Sequence, residues 1–248
     1  MDSILKMDIP KTIIIIVSFV FVVVSFVKRF VYFRPTRTLL ENFYNFQDIK
    51  ENHLNGWFKK GADKVILFCH QRKYNMSYCQ TKLNELYKLG FSILIFDYNG
   101  YGQSRGIPSQ DNCFRSAEIF VSFLFKNGYT SKTIIPYGED IGACVASYVA
   151  VKYRTDFLIL ESPVPCIRDC LSIFVKPIYP FLNDFNTNKL IEKFEGKLLL
   201  IHSMNNKIIP IQLVNKIFNK AFKTIQCQGD HCFPTNFDWK EINKFLSQ

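Results

Sequence analysis

The chain has 248 residues, 48% of them hydrophobic, and 31 Lys and Arg against 21 Asp and Glu give a formal charge of +10. That length and apolar content suit one large α/β domain, or one domain plus an appendage, and exclude a disordered chain. The positive charge admits nucleic acid, an anionic membrane or a lysine-rich surface, but no basic stripe is interleaved with aromatics, so nucleic acid is set aside as a partner.

Residues 1–11 form a short tail, and Thr12 to Val27, TIIIIVSFVFVVVSFV, carries no charge. As a helix this run is ~24 Å long, short of the ~30 Å of a bilayer's hydrocarbon. Ile9 and snorkelling by Lys11, Lys28 and Arg29 can extend it, and Phe30, Tyr32 and Phe33 suit the interface beyond. A buried core helix would carry an amphipathic stripe, and a cleaved signal peptide a small-residue cleavage site; neither is present. The expectation is a single-pass anchor over 12–33 in contact with membrane lipids. Lys28, Arg29, Arg34 and Arg37 outnumber Lys6 and Lys11, which favours the cytosolic side for the folded domain. The cysteines at 69, 79, 113, 144, 166, 170, 227 and 232 lack the dense spacing of a disulfide framework and read as reduced thiols. Their even number leaves open a lumenal domain with one or two bridges.

Residues 34–60 read as a polar-aromatic leading segment, with a hairpin turn at Asn55-Gly56. From 61 to 248 the pattern is regular. Strands are expected at 64–69, 91–96, 133–137, 157–160, 197–201 and 222–227, and helices at 76–89, 111–126, 141–153, 211–219 and 236–245. Short apolar strands alternating with helices imply an α/β fold, a parallel sheet buried on both faces whose ligands gather at the carboxyl ends of the strands. Pro163 to Asn186, broken by prolines, is either a lid or acyl-binding surface or ordinary packing.

One junction carries chemistry. PYGEDIGA at 136–143 runs from a strand through Gly-Glu-Asp-Ile-Gly into a small-residue helix, the setting of a nucleophile elbow, with Asp140 where a serine is usual. With LFCHQRKYN after the first strand, DYNGYGQSRGIPSQ after the second, IHSMNNKIIP and GDHCF, the chain resembles the membrane-anchored α/β-hydrolase-domain family, of the type of alpha/beta-hydrolase domain-containing protein thirteen and the fungal bud-emergence hydrolase. The resemblance runs from about Thr12 to the C-terminus. It rests most on Asp97 to Gly106, DYNGYGQSRG, against a family pattern of Asp-Tyr-Arg-Gly-Tyr-Gly-x-Ser-x-Gly. It implies an α/β-hydrolase fold, a serine esterase ancestry with lipid or acyl-protein substrates, and a pocket that holds an acyl chain or lipid. Carried across residue by residue, the nucleophile position is Asp140, the acid position Asn206 and the histidine His231. The oxyanion-hole positions are Arg72, in a loop where the family has His-Gly-x-x-Gly, and the amide of Ile141.

Serine-type acyl transfer needs a hydroxyl, a base, an orienting acid and two oxyanion donors. Here the first and third are replaced and the donor loop has lost its glycines, so the expectation is a degenerate triad acting by binding. The alternative is displacement at saturated carbon, with Asp140 forming an alkyl-ester that a His231-activated water hydrolyses. Asn206 offers that histidine no charge, and no leaving-group clamp is assignable. An Asp140–His231 contact would itself favour the imidazolium. Ser104, Ser147, His70, His202 and Asp97 read as structural, His53 as an exposed loop residue, and Cys232 as pointing away from His231. Cys227, His231 and Cys232 lack a second CxxC or HxH, so neither metal nor cofactor is expected.

Overall fold

The computed structural model describes residues 9–27, 32–170, 185–231, 233–235 and 237–248. In chain order the elements are α1 (Ile9–Val27), β1 (Arg34–Pro35), β2 (Gln47–Glu51), β3 (Leu54–Lys59), β4 (Val65–Cys69), β5 (Lys73–Tyr74), α2 (Gln80–Lys88), β6 (Ser92–Phe96) and α3 (Gln110–Lys126). They continue with β7 (Ile134–Glu139), α4 (Gly142–Tyr153), β8 (Phe157–Glu161), α5 (Thr187–Ile191), β9 (Lys197–Ser203), α6 (Asn215–Lys220), β10 (Lys223–Asp230), β11 (Phe233–Thr235) and α7 (Lys240–Leu246).

Among the described residues a nine-stranded sheet runs in the order β11-β10-β9-β8-β7-β4-β6-β3-β2. Its centre, from β10 to β6, is parallel. Its two edges are antiparallel. The alternation of side chains along each strand explains why uninterrupted apolar runs are needed. Val65, Leu67 and Leu94 face a layer with Ala117, Phe120 and Val121 of α3 and Val145 and Val149 of α4. Ile66, Phe68, Ile93 and Ile95 face Leu83 and Leu86 of α2 and Ile242 and Phe245 of α7. Helix α3 starts where Ser109 Oγ accepts the Asn112 N–H at 3.1 Å, an N-cap that satisfies one otherwise orphaned donor.

Three expectations are corrected. The hairpin between β2 and β3 turns at Asn52-His53, with Asn52 at φ +55°, and not at Asn55-Gly56, which lies inside β3. Gly56 is needed for a different reason: a Cβ there would sit 2.8 Å from the Ile95 carbonyl oxygen and 2.9 Å from the Phe120 ring, so its absence lets α3 close on the sheet. Tyr32 and Phe33, expected at a membrane interface, are 1% and 3% exposed. Their rings pack edge-on against Phe185, and Phe33 also meets Tyr101, so they belong to the core of the domain.

The third correction concerns the span expected over 12–33. Helix α1 is described over Ile9–Val27, and among the described residues no helix is long and apolar enough to cross a membrane. Lys11 limits the uncharged part to the ~24 Å noted above, below the ~30 Å required. Lys28, Arg29 and Phe30 lie outside the described residues, as do residues 1–8 of the tail, residues 171–184 of the proline-broken segment and Cys232.

Candidate functional site

β7 ends at Glu139, Asp140 turns at φ +53°, and α4 begins at Gly142. This left-handed turn lifts one side chain above the carboxyl edge of the sheet, and Asp is among the few residues that enter that region at small cost. The turn is pinned to its neighbours: the Asp140 N–H donates to the Glu161 carbonyl at 3.2 Å, and the Asp140 carbonyl accepts from Val164 N at 3.1 Å.

The apex carboxylate is 1% exposed and fully engaged. Arg72 donates to it three times: its backbone N–H and Nε reach Oδ2 at 3.1 and 2.9 Å, and Nη2 reaches Oδ1 at 2.9 Å. His231 Nε2 lies 3.1 Å from the same Oδ1. The Arg72 backbone amide, expected from the resemblance to be an oxyanion-hole position, is thus occupied by the protein's own carboxylate. Ile141, the other such position, is buried directly behind the apex.

Asn206 fixes the imidazole from the far side. Its Oδ1 accepts the backbone N–H groups of Ile208 and Ile209 at 3.1 and 2.9 Å, which turns its Nδ2 toward Ser162 Oγ at 3.3 Å and His231 Nδ1 at 3.0 Å. An amide N–H facing Nδ1 requires a lone pair there, and a carboxylate facing Nε2 requires a proton there. The network therefore sets the proton on Nε2, opposite to the arrangement in which a triad histidine receives a proton from its nucleophile. The expected contact between Asp140 and His231 exists.

Burial by itself would raise the Asp140 pKa, but the Arg72 guanidinium and the His231 hydrogen bond outweigh it and hold the carboxyl well below its ordinary range. The unfolded chain then takes up the proton first, so the stability this group contributes is present above about pH 4 and is lost as pH falls. Asp140→Asn is expected to flatten the stability profile below about pH 4 in urea titrations, and an acid slope equal to that of the wild type would contradict this.

A cavity of about 540 Å³ opens over the apex, lined in part by Asp140, His231, Tyr74, Cys170 and Ile208. The residues read as structural behave so. Ser104 Oγ donates to the Asp97 carbonyl at 2.9 Å, Ser147 Oγ to the Ala143 carbonyl at 2.7 Å, and His70 Nδ1 meets the Gln71 carbonyl at 2.7 Å. His202 Nε2 meets the Ile209 carbonyl at 3.1 Å, and Asp97 Oδ1 accepts Met76 N at 2.7 Å, bracing the loop. His53 is exposed but accepts from Asn99 Nδ2 at 2.8 Å. The described cysteines are free thiols, and among the described residues no group of three His, Cys, Asp or Glu converges as a metal site would need.

Two features escape sequence reasoning. The Arg72 side chain is the ion partner of Asp140, and the available signal was a paired one, a cation gained in the donor loop together with an anion gained at the elbow. Beneath the elbow, Lys82 Nζ bonds Glu139 Oε1 and, at 2.7 Å, Glu161 Oε1, while Tyr137 Oη donates to Glu161 Oε2 at 2.5 Å. Its signal was a glutamate closing each of two otherwise uncharged strands, IIPYGE and FLILE.

A mainly parallel sheet with helices on both faces, and a strained strand–turn–helix apex facing a histidine from the turn that follows β10, define an α/β-hydrolase fold. The family described as serine aminopeptidase, S33 matches residues 60–193, more than half of the chain, and the chain belongs to that α/β-hydrolase family. An uncharacterized membrane protein of Saccharomyces cerevisiae is 27% identical over 189 residues, 68% of this chain and 65% of that protein. Human alpha/beta hydrolase domain-containing protein 17B is 25% identical over 171 residues, 66% of this chain and 58% of that one. The chain thus spans less than two thirds of the length of these relatives. Among solved structures, the Pyrococcus furiosus esterase Pf2001 superposes with a TM-score of 0.71 at 18% identity, covering 87% of this chain and 96% of that one. A Vibrio vulnificus α/β hydrolase does so at 0.68 and 18%, covering 81% and 79%. These two establish the fold.

Proposed function

We propose that the chain is a membrane-attached α/β-hydrolase-fold protein that acts by binding and performs no serine-type turnover. One observation carries the reading. Both oxygens of the Asp140 carboxylate are held in hydrogen bonds from Arg72 and His231, so the apex offers no nucleophile and the neighbouring imidazole has no lone pair directed at it. A carboxylate there would also repel a developing oxyanion, and the Arg72 amide that would stabilise one is already engaged. On this reading Asn206 stands at the acid position and Arg72 in the changed donor loop, while the Ile141 amide is a donor any residue can provide, and the motif DYNGYGQSRG supports kinship with the membrane-anchored branch of the family.

Attachment through α1 is supported by its exposed Ile, Val and Phe side chains, among them Phe19 at 68% and Phe21 at 71%, and by a yeast relative named as a membrane protein. The second reading, an active hydrolase with Asp140 as nucleophile, draws on an ionised carboxylate at the apex beneath an open cavity.

Fluorophosphonate labelling and p-nitrophenyl ester hydrolysis by the full chain in detergent separate these. The wild type is expected to give neither, and Asp140→Ser/Asn206→Asp/Arg72→Gly is expected to gain both. Labelling of the wild type, or wild-type hydrolysis that His231→Ala abolishes, would overturn the reading; a substrate-derived mass on Asp140 would establish the second.

A further inference from the structure

We infer that the cavity over Asp140 is a binding site for a phosphate group, gripped by Arg34, Lys73 and Lys207. The inference rests on the reading above, in which Asp140 serves as an internal counter-ion. The cavity lining combines Arg34, Arg72, Lys73 and Lys207 with a single carboxylate, Asp140. That carboxylate is bound bidentately by the Arg72 side chain, so its charge is spent inside the wall. The other three cations are exposed at the cavity. Among the described residues no carboxylate pairs with them, although the chain forms ion pairs elsewhere at its surface, such as Lys88–Glu85 and Lys223–Glu241.

The arrangement is built and not merely a scatter of surface lysines. Strands β1 and β5 pair in parallel with Arg34 directly opposite Lys73. Like charges on paired positions repel, so the pairing works against the stability of this small sheet unless an anion lies between them. The backbone holds them there regardless. Arg34 N donates to the Arg72 carbonyl at 2.9 Å, Thr36 N to the Tyr74 carbonyl at 3.3 Å, and Tyr101 Oη to the Arg72 carbonyl at 2.7 Å. Tyr74 sits at φ +66°, a left-handed position that a bulky residue adopts only when its surroundings impose it. Lys207 approaches from the loop after β9, next to Asn206 in sequence. Three convergent cations match a group that carries more than one negative charge, and an arginine fork matches the geometry of phosphate oxygens.

Two sources can present that group, a free phosphate or a lipid headgroup. Arg34 lies seven residues beyond Val27 of α1, a reach of at most about 25 Å, so the cavity lies within range of whatever surface α1 occupies.

The test is isothermal titration of the full chain, in neutral detergent micelles, with inorganic phosphate, dihexanoyl phosphatidic acid and dihexanoyl phosphatidylcholine. Saturable one-to-one binding of phosphatidic acid is expected, weakened at least tenfold in Arg34→Gln/Lys73→Gln and in Lys207→Gln, and weakened by added salt. All three side chains are exposed and Arg34 and Lys73 repel each other, so the variants are expected to melt no lower than the wild type. Inorganic phosphate binding as tightly as phosphatidic acid would support the site with a free phosphate as ligand; phosphatidic acid binding alone would support it with a lipid headgroup. Absence of saturable binding by either, equal binding of phosphatidylcholine, or unchanged affinity in folded variants would overturn the inference. Ester turnover by the wild type would sink the binding-protein reading through a separate readout, leaving the titration to stand or fall by itself.

Discussion

Arg72→Ala is expected to lower the unfolding free energy by about 3 kcal/mol, the lower end of what removing one partner from a buried ion pair costs. Asp140 is 1% exposed and the Arg72 side chain 15%, so the variant leaves a carboxylate in a wall that water reaches poorly. The Arg72 backbone N–H and His231 Nε2 remain as donors, which is why the loss falls at the lower end. The carboxyl pKa rises once burial is no longer outweighed by the guanidinium. Arg72→Ala/Asp140→Gly separates charge from packing: with no carboxylate to strand, and with glycine at home at φ +53°, the double variant is expected to be more stable than Arg72→Ala. Urea unfolding followed by circular dichroism measures both. Equal stability of wild type and Arg72→Ala would mean that the pair does not hold the apex.

Gly142→Ala is expected to yield no soluble folded protein. A Cβ at this position would lie 2.1 Å from the Cys69 carbonyl oxygen and 2.6 Å from that of His70, backbone atoms at the end of β4 that cannot swing aside as a side chain can. Relief requires moving α4 away from the sheet centre, where Ala143, Val145 and Ala146 are all buried. Overpacking of a core costs about 1–3 kcal/mol where atoms can adjust, and a clash with fixed backbone exceeds that. Gly128→Ala is the control. Gly128 has open space for a Cβ but lies at φ +87°, so it is expected to cost only about 1–2 kcal/mol of backbone strain and to remain folded. Similar yields of soluble protein from the two variants would refute the steric account of the elbow.

Much of the fold was legible because parallel strands buried on both faces must be apolar throughout. VILFC, SILIF and FLILE announced β4, β6 and β8, and the Gly-Glu-Asp-Ile-Gly step between IIPY and a small-residue helix announced the elbow. Asp140, His231 and Asn206, drawn from three separate loops, lie in one hydrogen-bonded chain at the apex. The hairpin misled because Asn-Gly is a turn signal only where nothing else needs the glycine; here the approach of Phe120 did. Tyr32 and Phe33 misled for a related reason, since aromatics suit a lipid interface and a domain core equally, and the positions of Tyr101 and Phe185, far along the chain, decided between them. The Arg72 side chain was hidden because a long flexible cation gives no periodic signal, and its partner lies 68 residues away.

The account depends most on where His231 carries its proton. Nitrogen-15 NMR of the full chain labelled in its histidine rings, with His231 assigned by comparison with His231→Gln, reads this directly. At neutral pH the predicted result is a protonated Nε2 and an unprotonated Nδ1, with the Nε2 signal shifting in Asp140→Asn. A proton on Nδ1 with a free lone pair on Nε2, as a working hydrolase histidine would hold it, would contradict the locked carboxylate and the loss of chemistry drawn from it.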